Sequence, residues 1–223
     1  MTIKIKLIAH ASIQIQTDNQ NIYIDPSTKY AAKDAFKPAD FIFVTHEHAD
    51  HFDKGLIKKI RALGSPVVAP NSVKKKLGKI ICWDMDPGQH MDVSGSKGKL
   101  HAWAVPAYNI KRFRSPGTPF HPKGDGAGFI LEVSGKKIYH AGDTDLIPEM
   151  EKLPELDVAL LPAGDTYTMD LKEAAEAALL IKPKVVIPMH LKGADPKAFK
   201  EEVESKSSTK VVILNEGEEY TLE

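Results

Sequence analysis

The chain passes from an uninterrupted apolar stretch, Phe41-Ile42-Phe43-Val44, almost directly into His46-Glu47-His48-Ala49-Asp50-His51. Consecutive apolar residues of this kind mark a strand buried on both faces, as strands are in parallel, helix-covered sheets. Three imidazoles and a carboxylate just beyond such a strand call for a fold whose strand ends open onto a site. Residues two apart at a strand end point the same way, so His46 and His48 can share one ion. The chain then turns, and Asp50 and His51 face a neighbouring position. Imidazole nitrogen and carboxylate oxygen suit Zn²⁺, and equally Mn or Fe. A polar turn rich in titratable groups is the alternative reading of the same six residues.

Around this feature, strands and helices alternate. Strands are predicted over 3–7, 12–16 and 21–24, with a polar turn at 17–20. Asp53 is placed to cap a helix ending near Leu63, with Gly64 as its stop. Short strands at 67–69 and 79–83 flank a helix over 72–77. A hairpin joins 91–93 to 100–105, and residues 106–126 form the longest irregular stretch. Such a loop inside a compact domain is usually functional or mobile. Then come a hairpin of 128–133 with 137–140 and buried strands at 158–161 and 185–187. Asp170-x-x-Glu173 has capping-box spacing and opens a helix ending near Pro183. Asp195-Pro196 caps a last helix, and strands at 211–214 and 218–222 close the sheet. Strands followed by strand–helix alternation, twice over, predict an α/β fold: two sheets face to face with helices outside, a four-layer αββα sandwich in one domain, 1–223.

Lys plus Arg (30) equals Asp plus Glu (30), so net charge gives no argument for nucleic acid or an anionic membrane as partner. No apolar run approaches the ~20 residues that cross a bilayer. The single cysteine, Cys82, excludes an intramolecular disulfide. With an N-terminus that alternates apolar and polar residues, this predicts a cytoplasmic protein acting on a small molecule. There is no phosphate-cradling loop and no nucleophile elbow. Gly124-x-Gly126-x-Gly128 lacks the helix that a dinucleotide fingerprint requires.

His46-Glu47-His48-Ala49-Asp50-His51 resembles the HxHxDH signature of the metallo-β-lactamase superfamily. Ala9-His10-Ala11-Ser12 and Ile24-Asp25-Pro26 resemble opening strands of the branch containing the UlaG-like lactonases and the UPF0173-type hydrolases. Tyr139-His140-Ala141-Gly142-Asp143-Thr144 and Ile187-Pro188-Met189-His190 resemble two later motifs of that branch. The resemblance implies a metallo-β-lactamase fold with two metal ions, zinc first and Mn or Fe as alternatives. Its implied metal ligands are His46, His48, Asp50, His51, Asp143 as the bridge, and His190. Placement agrees with this: Asp143 and His190 each follow a predicted strand, and strand ends on one edge of an α/β structure are where sites assemble.

One position departs from the pattern. Where the branch has a histidine after Pro-Ala-aromatic, Pro106-Ala107-Tyr108 is followed by Asn109, a poor zinc ligand. His121, further along the loop, is the candidate replacement; a surface histidine or a substrate contact are its other readings. Asn109, Lys123 and Tyr167 are the expected substrate contacts. Lys111, Arg112, Arg114 and Lys123 make the loop basic, which suits a phosphate or carboxylate substrate or is an ordinary solvated loop. His140 orients a ligand or packs in its strand. His10 lies near the implied site. Asp25 supports the metal loop by hydrogen bonding, or simply turns the chain before Pro26. His90 and His101 carry no expected chemistry.

The expected reaction is hydrolysis by a metal-activated hydroxide, the water's pKa falling from 15.7 towards ~7. Asp50 is the expected catalytic residue, and the bond attacked is an ester, lactone or phosphodiester. A non-catalytic metal-binding regulatory module and a di-iron redox protein are the competing classes.

Overall fold

A period of two in the N-terminal sequence decides the first contacts. Ile3, Ile5 and Leu7 face one way and enter the central core, while Ile8 packs on the opposite face. The computed structural model describes residues 2–222. Its first sheet is built from β1 (Ile3–Ala9), β2 (Ser12–Gln16), β3 (Asn21–Ile24), β4 (Phe41–Phe43), β5 (Val67–Ala69) and β6 (Cys82–Asp84), in that spatial order. β1 to β3 are antiparallel neighbours, and β3 to β6 run parallel. Between the parallel strands lie α1 (Lys54–Ile60) and α2 (Asn71–Leu77). Asp53 caps α1 by accepting from the Leu56 N–H. The helix stops at Ile60, short of the predicted Leu63. There the Ile60 carbonyl takes the Ala39 N–H, and Arg61 turns to extended backbone.

The second sheet contains β7 (His90–Gly95) and β8 (Gly98–Ala107), then β11 (Gly126–Val133), β12 (Lys136–His140), β13 (Val158–Pro162), β14 (Val185–Met189) and β15 (Lys210–Val211). Its parallel half runs from β12 to β15. The stretch read as irregular is partly ordered. Pro106 and Ala107 continue β8, Gly126 begins β11, and between them stands a ribbon outside both sheets, β9 (Phe113–Ser115) paired with β10 (Thr118–Pro119). α3 (Leu171–Ile181) opens with the predicted Asp170–Glu173 capping box, and α4 (Lys197–Lys206) follows β14. The last strand, β16 (Glu219–Leu222), does not follow β15 into the second sheet. It crosses back to pair antiparallel with β1, Ile5 opposite Tyr220.

The αββα layering follows from three apolar clusters. One lies between the sheets, including Phe41, Phe43, Phe129, Leu160 and Ile187; burying each such side chain contributes about 1.5–3 kcal/mol. A second packs α3 and α4 on the outer face of β13 and β14, and a third packs α1 and α2 on β4 and β5. β4 therefore is buried on both faces, as its composition required. Among the described residues, no helix is long and apolar enough to cross a membrane.

Candidate metal centre

Each candidate ligand stands just beyond a strand end or on the ribbon loop, and the local backbone explains why. Asp25, at the end of β3, adopts φ +53°. Its carboxylate accepts from the Thr45 N–H (2.7 Å) and hydroxyl (2.6 Å), and lies 2.6 Å from His51 Nδ1. This aims His51 Nε2 away from Asp25 and ties the first motif to the sheet. Gly142 has φ +65° with the Ala127 carbonyl 3.2 Å from where a Cβ would stand, so the turn leading to Asp143 is glycine's. His140, fully buried, accepts the Gly142 N–H at Nδ1 and lies 3.0 Å from the Ala11 carbonyl at Nε2. It therefore braces this turn. His190 has φ +54°, and its N–H donates to the His10 carbonyl. Its own carbonyl passes 2.0 Å from where a Cβ on Gly164 would lie.

These turns gather two groups, His46, His48, His121 and Asp143, and His10, Asp50, His51 and His190; in each, one ligand atom per residue lies within 4.8 Å of all the others. In the first, His48 Nδ1 is 3.1 Å from both His46 Nε2 and His121 Nε2, and His121 Nε2 is 3.3 Å from Asp143 Oδ2. In the second, Asp50 Oδ2 lies 3.4 Å from His10 Nε2 and 3.9 Å from His190 Nε2. Asp143 stands between the groups, Oδ1 3.2 Å from His51 Nε2 and Oδ2 3.3 Å from His190 Nε2.

The donor set fits divalent cations. Four ligands about 2.0 Å from a tetrahedral ion stand roughly 3.3 Å from one another, close to most of these spacings. The buried atoms His10 Nε2, His51 Nε2, His190 Nε2 and Asp143 Oδ1 have no hydrogen-bond partner. A buried polar atom left so costs about 1–3 kcal/mol, and four converging on one place describe a site made for an occupant.

Electrostatics sets His51 apart from the other shifted imidazoles of both groups, His10 among them being lowered by burial. Burial, then the neighbouring His51, hold His46 well below the ordinary imidazole value; burial and His121 lower His48. His51 goes the other way: against the cost of burial, Asp143 and Asp25 raise it well above that value. Asp143 and Asp50 are held below the usual carboxylate range against burial, Asp143 chiefly by His190 and His51, Asp50 by the neighbouring rings of His10 and His51.

The structure thus brings together His46, His48, Asp50, His51, His121, Asp143 and His190, and adds His10, which the sequence had left merely near the site. A lone histidine after β1 has no local partner to reveal it. Asn109 is buried and fully engaged. Its Oδ1 accepts the His121 backbone N–H and lies 2.8 Å from His121 Nδ1, while its Nδ2 donates to Asp145 and the Tyr167 carbonyl. It is a brace for His121 rather than a surface for substrate. Lys123 is occupied by Glu149 and Tyr108 and lines neither cleft described here. Tyr167 does line one. His90 and His101 contact each other on β7 and β8.

Two clefts open beside the first group. One, of about 360 Å³, is bounded by His46, His48, Thr118, Phe120 and Asp125; the other, of about 380 Å³, by Lys29, Asp50, Phe120, His121 and Tyr167. Arg114 and Asp143 line both.

Sandwich, seam and paired His/Asp groups together define a class, and comparison with known proteins identifies it. A sequence profile described as the beta-lactamase superfamily domain matches residues 4–190. A UPF0173 metal-dependent hydrolase of Pyrococcus abyssi is 38% identical, covering 99% of this chain and 100% of its own. The solved structure of a metallo hydrolase from Ignicoccus hospitalis superposes with a TM-score of 0.81 at 31% identity, covering 100% of this chain and 99% of that one. One from Parabacteroides distasonis gives 0.84 at 34%, covering 95% and 92%. The chain is a metal-dependent hydrolase of the metallo-β-lactamase superfamily, and within it belongs to the UPF0173 metal-dependent hydrolases.

Proposed function

We propose that this enzyme hydrolyses an ester or lactone bond in a small molecule, with two cations held in adjoining half-sites. His46, His48 and His121 form the outer half-site, His10, Asp50, His51 and His190 the inner, and Asp143 is shared. The observation that carries the reading is the convergence of unpartnered buried atoms of His10, His51, Asp143 and His190 on one point. Zinc suits the imidazole-rich outer group best; Mn or Fe suits the more carboxylate-rich inner one.

Cations bound there would supply hydroxide near neutral pH and stabilise the oxyanion of the transition state. Asp50 lines the second cleft and keeps its charge, so it can accept a hydrogen bond from the attacking water and orient it. Asp25 fixes the ring of His51, and Asn109 that of His121. Such partners orient ligands and raise their basicity. Phe120 and Tyr167, 4.7 Å apart in an edge-to-face pair, wall the second cleft against water.

The loop cations favour an ester or lactone over a phosphodiester. Lys111 pairs with Glu173, Arg112 with Asp145, Asp165 and Glu173, and Lys123 with Glu149. These three charges are paired with carboxylates of the same chain and offer no continuous track for a polyanionic backbone. The open clefts argue for turnover over a purely regulatory metal site.

Elemental analysis of natively purified protein and a panel of aryl esters, lactones and bis-aryl phosphates test the reading. The expected result is two divalent cations per chain and ester or lactone hydrolysis, with Asp143→Ala losing both metal and activity, the latter by roughly 10²–10³-fold or more. Full turnover in metal-depleted protein, or turnover of the phosphodiester alone, would overturn it.

A further inference from the structure

Four cations decorate the loop between β8 and β11, and three are paired with carboxylates of the same chain. The fourth, Arg114, has none within salt-bridge distance among the described residues, yet it lines both clefts. It sits on the β9–β10 ribbon, an element that belongs to neither sheet. Its guanidinium carbon lies 5.7 Å from the centre of the Phe120 ring, and Phe120 packs edge-on to Tyr167. Lys29, also on the second cleft's lining, reaches Asp50 Oδ1 only at 3.5 Å, and Lys192 lies 4.0 Å over the Tyr167 ring with no carboxylate partner among the described residues.

The acids must be set against these charges. In the first cleft, Glu47 is taken by Lys76, and Asp125 remains beside Asp143. In the second cleft the only carboxylates are Asp50 and Asp143, both assigned to the cations. With cations bound, this cleft carries a net positive field, and its exposed guanidinium stands beside an aromatic wall. Arginine's planar fork matches carboxylate and phosphate oxygens two at a time.

We infer that Arg114, with Lys29 on the lining of the same cleft, forms an anion subsite that docks an acidic group of the substrate, a carboxylate or a phosphate monoester, away from the bond being cleaved. The adjoining part of the substrate lies against Phe120 and Tyr167. Arg114 is then a specificity-determining residue. The inference rests on the hydrolase reading for its turnover test and is independent of it for its binding test.

The turnover test compares three aryl esters that share a leaving group: one with a remote carboxylate, one with a remote phosphate, and one neutral. Wild type should prefer a charged ester over the neutral one in kcat/KM. Arg114→Gln should reduce that preference on the order of 10-fold to 100-fold, mainly through KM. Arg114→Lys should fall between them. Lys111→Gln, which removes the same charge from the same loop outside the clefts, should leave the preference intact. Whichever charged ester shows the larger loss identifies the acidic group. The binding test titrates metal-loaded wild type and Arg114→Gln calorimetrically with an aryl carboxylate and an aryl phosphonate, and expects a weaker Kd in the variant. No preference in wild type, an equal loss for charged and neutral esters, or identical Kd values in the two proteins would overturn the subsite. If no ester is cleaved but Kd still depends on Arg114, the subsite stands and the ester reading alone fails.

Discussion

The two half-sites share Asp143 and differ in almost everything else. The inner one takes His10, Asp50, His51 and His190 from turns close to strand ends, and it is backed by Asp25, a fully buried carboxylate 2.6 Å from the ring of His51. The outer one adds no carboxylate of its own beyond Asp143. It is backed by neutral groups, the Thr45 hydroxyl 3.0 Å from His46 and the Asn109 amide 2.8 Å from His121. Its third imidazole comes from a loop outside the two large sheets, held by the Asn109 side chain and by the Asn109 N–H that donates to the His121 carbonyl. Charge and pre-organisation both favour the inner half-site, so it should fill first and empty last. The outer one, whose His46, His48 and His121 all line the clefts while the inner group adds Asp50 to the second, should be the more exchangeable.

The largest expected effect that bears on this contrast is steric. Gly164→Ala sets a methyl 2.0 Å from the His190 carbonyl. At the severe end of overpacking, this should cost about 3 kcal/mol, read by calorimetry. It should loosen the inner cation while the outer imidazoles keep theirs. Loss of the outer cation alone would break the contrast.

Next comes the backing. Asp25→Asn should weaken inner binding about 10–100-fold, and Asn109→Ala should weaken outer binding towards the lower end of that range. Competition with a chromogenic chelator measures both. Equal losses in the two half-sites for either variant would show that they are one cooperative unit.

The smallest effect is that of pH. His51 must lose its proton to bind a cation. Because its value is raised, acidification through that value should weaken inner binding by up to about tenfold per unit. His46 and His48 are lowered and stay neutral further into acid, so outer binding should fall later. In metal-free protein the sign reverses. A raised imidazole contributes stability that is complete below about pH 6.5 and is lost as pH rises through its folded value. Melting temperature of chelated protein against pH checks this, and a rise in stability with pH across that window would contradict it.

Much of this was legible in the chain because it is local. The doubly buried run at 41–44, the capping box at 170–173 and the spacing of His46, His48 and His51 each depend on near neighbours. What was hidden depends on distance. Lys111 meets Glu173 62 residues away and Arg112 meets Asp145 33 residues away, so a loop that reads as basic has only Arg114 uncommitted in the clefts. Asn109 read as a missing ligand, and only packing shows its amide holding the ring of His121. That β16 joins β1 was not legible, because no pattern within a strand records which edge it will join.

The position of Asp143 has a mechanical corollary. His10, His46 and His51 belong to turns of the first sheet, whereas Asp143 and His190 leave the second. Any cation bridging them would rivet the two halves of the sandwich at one rim. The energy of that rivet would grow with free metal as RT ln(1 + [M]/Kd), about 2.7 kcal/mol at a hundredfold excess over Kd. Scarcity of metal would then do more than silence the enzyme: it would unfasten the rim where both sheets meet.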